Sequence, residues 1–268
     1  FEAYANVGRD ASYANIGLVY DGQTNELIYS HAGDVWRVVL DGDQQIESVT
    51  RLDWAIDSDG RQTGDASVDT TVDASGQTSL LRLASGRYLL GLRSGVRWLD
   101  VDAARFKDHR LTRQTRAGSA ATSVEVITSA NSPDGAVWLG TRQGLARLEL
   151  GEAGQSVQRI DWWDERNGLP DATVYAVAVE SARDVWISTN QGLSQLTWPA
   201  GFGEQEISPD PSVTDFRVVD GLPAYEFNSR AVDQDEQGRW YFGSIEGIAW
   251  FDPQNIQPHA MPPDVITK

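Results

Sequence analysis

The stretch "DWWDER", residues 161–166, sets three carboxylates, Asp161, Asp164 and Glu165, around the adjacent pair Trp162 and Trp163, and ends on Arg166. Two carboxyl groups about 5–9 Å apart can share acid and base work at a glycosidic bond, and indole rings can stack on the sugar between them. A guanidinium at the rim can fork onto a carboxylate or sulfate group. The same six residues also describe the outer strand of a β-sheet, one Trp turned inward and the other outward. On that reading the stretch is a packed edge. Packing is the stronger of the two readings; sugar contact through Trp162, Trp163 and Arg166 stands beside it, and no catalytic residue is assigned.

Other polar groups are scattered. "GLPDATVY" (168–175) and "GLPAYEF" (221–227) place Asp171, Tyr225 and Glu226 beside Pro170 and Pro223, whose rings restrict the backbone. Loops at sheet ends are where ligands commonly meet a rigid scaffold, so Tyr225 and Glu226 join the ligand-binding candidates against turn formation as their competing use. Trp54, in "RLDWAIDSDG" (51–60), stands beside an irregular segment and would serve as an exposed platform. "DSDG" (57–60) opens as a calcium loop does, but the Glu expected twelve residues along is absent, which leaves a solvated loop. His31, His109 and His259 are far apart, and no H-E-x-x-H, G-x-S-x-G or P-loop run occurs. Neither a metal nor a cofactor is expected.

Composition narrows the partners. Lys plus Arg number 22 against 39 Asp plus Glu, for a net charge of -17. Such a field repels nucleic acid and anionic membrane surfaces alike. With no cysteine, disulfides, thiolate nucleophiles and zinc–thiolate sites are excluded. No run approaches the ~18 apolar residues that would cross a bilayer, so no direct membrane insertion is expected from this chain. Phe1 in place of Met reads as a processed or excised piece, with any signal peptide or anchor outside it. Ten tryptophans and 40% hydrophobic residues suffice for a packed core, in one large all-β domain or two small ones.

The elements that hold these residues repeat. Taking Gly140 as a reference, its counterparts are Gly91, Ser188 and Gly243, each ending an apolar run: "YLLG", "VWIS" and "WYFG". Four residues on, every copy has glycine (Gly95, Gly144, Gly192, Gly247), then an aliphatic residue (Val96, Leu145, Leu193, Ile248). Eight residues after the reference stand Leu99, Leu148, Leu196 and Phe251, and a looser copy around Ser30 precedes them all. Short β-branched and aromatic runs closed by glycine turns are strands of a hairpin, because glycine reaches the positive φ that a tight turn needs. Reference positions 30, 91, 140, 188 and 243 predict an all-β fold, a β-propeller of about five four-stranded antiparallel blades, alone or as part of a larger ring. Blades are expected around 16–40, 79–102, 122–150, 172–198 and 228–253, within a propeller spanning 1–256. Trp138, Trp186 and Tyr241 would fill gaps between blades, while Ala146, Ser194 and Ala249 would let sheets approach closely. "NSPDGAVW" (131–138) lies near the Asp-box turn of sialidase-type propellers, with its Gly one place early, and there too it would be a structural turn.

"NGLPDATVYAVAVESARDVWISTNQGLSQL" (167–196) resembles the repeat of the two-component regulator propeller family, and "DGLPAYEFNSRAVDQDEQGRWYFGSIEGIAWFDPQNI" (220–256) resembles the last blade of such propellers. "MPPDVITK" is similar to the entry into the three-tyrosine domain that follows them, so 257–268 is expected to be a linker. The likeness covers 134–268 and extends to Ser79. The 57–77 stretch departs from it as an inserted loop, and Ser188 stands where the family has glycine. The resemblance implies the periplasmic or extracellular sensor of a bacterial membrane protein whose output is a histidine kinase or a diguanylate cyclase. It also implies an oligosaccharide or other small ligand, adjacent domains of the same sensor as partners, and no catalysis. The family's rings are commonly seven-bladed, so five repeats read as a fragment, a five-bladed ring, or a ring with divergent blades. Two alternatives stay open at this stage: a secreted carbohydrate-binding or carbohydrate-active propeller, and a scaffold that forms a homodimer.

Overall fold

The computed structural model describes residues 16–31, 34–52, 79–102, 105–114, 120–151, 154, 156–203 and 208–256. Trp54, His259, the "DSDG" stretch, the 57–77 insertion and the 257–268 linker lie outside those residues. The fold is an all-β, five-bladed propeller whose blades are antiparallel sheets, each four-stranded among the described residues except the last, which shows three. The chain divides into two compact units, 1–111 and 112–268.

The first unit holds two blades. Blade one comprises β1 (Ile16–Asp21), β2 (Glu26–His31), β3 (Asp34–Leu40) and β4 (Ile46–Arg51), in chain order across the sheet. Blade two repeats the plan with β5 (Ser79–Arg82), β6 (Tyr88–Leu92), β7 (Gly95–Asp100) and β8 (Arg105–Arg110). Ile28 and Val35 of blade one meet Tyr88, Leu90, Leu99 and Phe106 of blade two in one buried cluster. On the opposite face of blade one Leu18, Tyr20 and Val49 are exposed while Val38 is buried.

The second unit opens with a short ladder of β9 (Thr112–Arg113) and β10 (Thr122–Ser123). Blade three follows as β11 (Val126–Asn131), β12 (Val137–Thr141), β13 (Gly144–Leu150) and β14 (Val157–Trp163). Blade four is β15 (Ala176–Val179), β16 (Asp184–Thr189), β17 (Gly192–Thr197) and β18 (Ser212–Phe216). Among the described residues blade five comprises β19 (Phe227–Gln234), β20 (Trp240–Ser244) and β21 (Ile248–Phe251). Every residue of β6 and β12 is buried, which explains why second strands read as unbroken apolar runs rather than alternating ones. Among the described residues, no helix is long and apolar enough to cross a membrane.

The expected aromatics behave in two ways. Trp138 of blade three packs on Trp198 and Phe202, which follow β17 of blade four, at 5.0 and 6.1 Å between ring centroids. Trp186 of blade four meets Phe251 of blade five at 4.5 Å. Both fill blade junctions, and Ala146, Ser194 and Ala249 are buried as small residues at close approach should be. Tyr241 is the correction. It sits half-buried on the far face of blade five, stacked on Trp250 at 6.4 Å with its hydroxyl donating to Asp235, and no sheet among the described residues covers that face.

The hairpin glycines have a geometric cause beyond the turn. A Cβ on Gly144 (φ 114°) would lie 2.2 Å from the Trp163 carbonyl oxygen, and the same distance separates Gly192 from that of Phe216 and Gly95 from that of His109. In blades two, three and four the fourth strand presses a carbonyl against the turn between the second and third. Charge is buried along that strand as well. Arg97 of β7 donates two hydrogen bonds to Asp108 of β8, at 2.6 and 2.8 Å, under the Phe106 ring, and neither side chain is more than 6% exposed. Asp108→Ala strands that guanidinium without a counter-charge and should cost about 3–5 kcal/mol, whereas the double replacement R97M/D108L should cost much less; urea unfolding reads both.

Candidate functional site

The six residues from Asp161 begin on β14 and end in a turn. Trp162 lies opposite Ala146 and Trp163 opposite Leu145 on β13, so strand alternation sends the two indoles to opposite faces. Trp163 is 1% exposed, packed at 5.5 Å from Trp138 and 4.9 Å from Trp198, with its Nε1 donating to the Pro209 carbonyl at 3.1 Å. A ring so enclosed has no face to lend a ligand from solvent. Trp162 is half-buried, and the Arg113 guanidinium stands over its ring at 4.9 Å. Cation and indole attract through the ring quadrupole, so this pair is a preformed polar and aromatic platform.

Asp164 organises what surrounds it. It is the N-cap of a single 3-10 turn, Glu165–Asn167: its carboxylate accepts from the Arg166 backbone N–H, its own N–H donates to the Asn167 side chain, and Gly168 closes the turn at φ 95°. Arg113 reaches the same carboxylate at 2.9 Å and the Arg166 side chain at 2.7 Å. Burial works against the charge of Asp164, but the hydrogen bonds from Arg166 and the positive charge of Arg113 outweigh it and hold the carboxyl below its ordinary value of 3.8. Burial in turn lowers the pKa of Arg113, with Asp164 acting the other way. A carboxyl held ionised between two arginines is suited to fixing geometry and not to donating a proton. Asp161 is taken up by Arg159 at 3.0 Å, and Glu165 is exposed.

The next blade repeats the turn. Arg217 begins a second 3-10 turn, Val218–Asp220, with Asp220 accepting from the Arg217 backbone N–H at 2.8 Å and Gly221 at φ 101°. The Gly of each Gly-Leu-Pro is thus a left-handed cap that redirects the chain from one blade's last strand to the next blade's first. Asp171 accepts from the Thr173 N–H at 2.7 Å, a turn contact. Tyr225 and Glu226 are exposed at the entry to β19, one blade further on than the Trp162–Arg113–Asp164–Arg166 group. Of the expected residues, the structure therefore links Trp162 to Arg166 through Arg113 and Asp164, buries Trp163 and sets Tyr225 and Glu226 apart. Arg113 escaped the sequence reading because 51 residues separate it from Asp164 and it lies in no motif.

His109 packs edge-on against Trp98 at 6.0 Å, and burial, with the charge of Lys107, keeps its pKa below the usual 6.5. "NSPDGAVW" is a turn between β11 and β12, where Asp134 accepts from Arg147 at 2.7 Å. Among the described residues, no group of three or more His, Asp or Glu side chains is placed to hold a metal ion. A cavity of about 450 Å³ lies between blades four and five, lined by Trp186, Phe216, Leu222, Trp250, Phe251 and Ile256.

No family model matches the chain. A 113-residue stretch, 42% of the chain, is 25% identical to a protein named Histidine kinase P4 from Formosa agariphila, and covers 7% of that relative. The fold is similar to the extracellular domain of a protein named as a hybrid two component system from B. thetaiotaomicron. The TM-score is 0.60 at 17% identity, over 90% of this chain and 28% of that one. It is also similar to virginiamycin B lyase from Staphylococcus aureus, with a TM-score of 0.54 at 11% identity, over 89% of this chain and 70% of that one. At these identities the solved structures establish a shared fold. The chain thus spans under a third of the length of the histidine kinase and of the two component system domain that it matches.

Trp163→Ala should cost about 3–5 kcal/mol in chemical unfolding, while Trp162→Ala should stay near 1 kcal/mol. A carboxyl whose pKa is lowered on folding stabilises the protein above its unfolded pKa and loses that contribution as pH falls through the folded value. Asp164→Asn should therefore be less stable than the parent at pH 7, and the gap should close as the pH drops below about 4. Thermal melts from pH 7 to pH 2 follow it.

Proposed function

We propose that this chain is the propeller portion of the sensing region of a bacterial membrane signalling protein, of the two-component regulator propeller kind. In this reading residues 1–256 belong to the propeller and 257–268 lead into a three-tyrosine domain. The assembly stands on the periplasmic or extracellular side, and a histidine kinase or diguanylate cyclase lies further along the same polypeptide. The observation that carries it is the agreement of two independent comparisons: fold likeness to a two-component extracellular domain over 90% of the chain, and sequence likeness to a histidine kinase over 113 residues.

The role is binding and transmission without chemistry. Asp164, the best-placed carboxyl beside the tryptophans, is kept ionised by Arg166 and Arg113 and would make a poor general acid. Trp162 supplies a ring for stacking on a sugar, and Arg166, with its side chain 59% exposed, supplies donors to a carboxylate or sulfate substituent. An acidic oligosaccharide suits that pair. Tyr225, Glu226 and Trp54 are secondary candidates for the same ligand, and a homodimer is a natural output for a sensor whose neighbours pass the signal on.

Titration calorimetry of the chain against neutral and acidic oligosaccharides tests this. Binding of an acidic oligosaccharide without turnover is expected, weakened about tenfold or more, roughly 1.4 kcal/mol, by Trp162→Ala. Cleavage of any member of the panel, or equal binding by the variant, would count against it.

A further inference from the structure

Among the described residues, three that are not glycine have a backbone in the left-handed region: Asn25 (φ 59°), Gln44 (φ 60°) and Arg230 (φ 60°). Asn25 and Gln44 stand in the hairpin turns of blade one, where their side chains support the bend. The Asn25 amide donates to the Leu40 and Asp41 carbonyls at 2.8 and 2.7 Å, and Gln44 donates to Asn25 at 2.9 Å. Arg230 stands in no turn. It lies within β19, and a long side chain gains nothing locally from a conformation that glycine adopts freely. Strain of this kind persists where the surroundings fix it, and it gathers at sites that hold a ligand.

The surroundings of Arg230 are built to fix it. Phe227 of β19 lies opposite Ser244 of β20 and Val232 opposite Phe242, so residues 227 to 232 on one strand span only residues 244 to 242 on the other. β15 runs against β16 without a shift, and β11 shows one only between Val126 and Thr128. A bulge re-aims the side chains that it carries. This one is pinned on both flanks. The Arg230 backbone N–H donates to the Tyr175 carbonyl at 2.8 Å, at the start of blade four, and the Asn228 amide donates to the Ser244 carbonyl at 2.9 Å. The Tyr175 hydroxyl donates to Asn190 Oδ1 at 3.0 Å, in the turn between β16 and β17. Asn190, Asn228 and Ser229 are exposed, and Arg230 is half-buried. The bulge thus places Arg230 beside Tyr175 and Asn228, at the end of the blades where the Gly-Leu-Pro loops enter.

Burial lowers the pKa of Arg230. A guanidinium drawn out of water attracts an oxyanion more strongly, because the field between them is less screened. Its five N–H donors let it hold a neighbour and an oxyanion together. Two arginines of this protein each hold two acceptors in that way: Arg113 takes the Gln143 carbonyl and Asp164, and Arg147 takes Asp134 and Glu149. We propose that the β19 bulge is a carboxylate-binding site, in which Arg230 forks onto the ligand with Asn228 and Asn190 at its sides. The carboxylate belongs to a free organic acid or to a uronate unit of a sugar. The site lies on blade five, apart from the Trp162 group on blade three, and does not rest on the role proposed for that group.

The full chain is titrated with sodium glucuronate, sodium acetate and glucose, and binding is read by NMR at the backbone amides of residues 175, 190 and 230. A saturable shift with glucuronate and none with glucose is expected. Acetate shifting the same amides assigns the site to free acids, and acetate leaving them unmoved assigns it to uronates. Arg230→Gly should weaken binding by about tenfold or more. Because glycine relaxes the backbone there, the same variant should melt no lower than the parent, and up to about 2–4 °C higher. Arg230→Lys keeps the charge without the fork and should bind with intermediate strength. Trp162→Ala should leave the titration unchanged, which separates failure of this site from failure of the Trp162 reading. Four results would overturn the proposal: no saturable shift with either acid, an equal shift with glucose or with sodium chloride at matched ionic strength, a lower melting temperature for Arg230→Gly, or loss of binding in Trp162→Ala.

Discussion

A β-sheet with two apolar faces cannot rest in water, and within each unit of this molecule neighbouring sheets cover one another's apolar faces. The junction of blades three and four shows the scale of the effect. Trp138, Trp163, Trp198 and Phe202 come together with ring centroids between 4.9 and 6.1 Å, alongside Leu145, Leu196 and Val213. Each large side chain removed from water there contributes about 2–3 kcal/mol before conformational entropy is subtracted. Where the cover ends, at Ile248 and Trp250 of blade five and at Leu18 and Tyr20 of blade one, the same kinds of residue stand exposed.

That constraint also positions the candidate site. β14 must put Trp163 into the junction, and the pleat then obliges its neighbour Trp162 to face the other way, where Arg113 covers its ring. The chain must next turn toward blade four. Asp164 caps that turn and collects Arg113 and Arg166 in doing so. The charges beside the tryptophans are thus consequences of a corner in the chain. Their mutual pairing fixes the corner and leaves the Arg166 side chain 59% exposed beside it. Fold likeness to a lyase as well as to the extracellular domain of a two component system shows how little the propeller alone says about chemistry.

Much of this was legible in the residues and some was not. The hairpins at Gly95, Gly144, Gly192 and Gly247, the inter-blade places of Trp138 and Trp186, and the number of sheets follow from local rules: alternation, turn chemistry and a repeat of about fifty residues. Local rules act over a few residues, so they survive without knowledge of the rest of the chain. Tyr241 defeated them, because its pattern matches that of Trp138 while the sheet that would cover it is not among the described ones. "DWWDER" was legible as an edge strand with opposed tryptophans, but not as a cap held by Arg113.

The sequence by itself determined the strands, their turns and the repetition that makes blades, since each depends on steric and hydrophobic preferences expressed within one hairpin. Only the tertiary structure decided which tryptophan of the adjacent pair is enclosed and that Asp164 is shared by two arginines. Both facts depend on residues tens of positions apart meeting, and no spacing along a chain records which of them will meet.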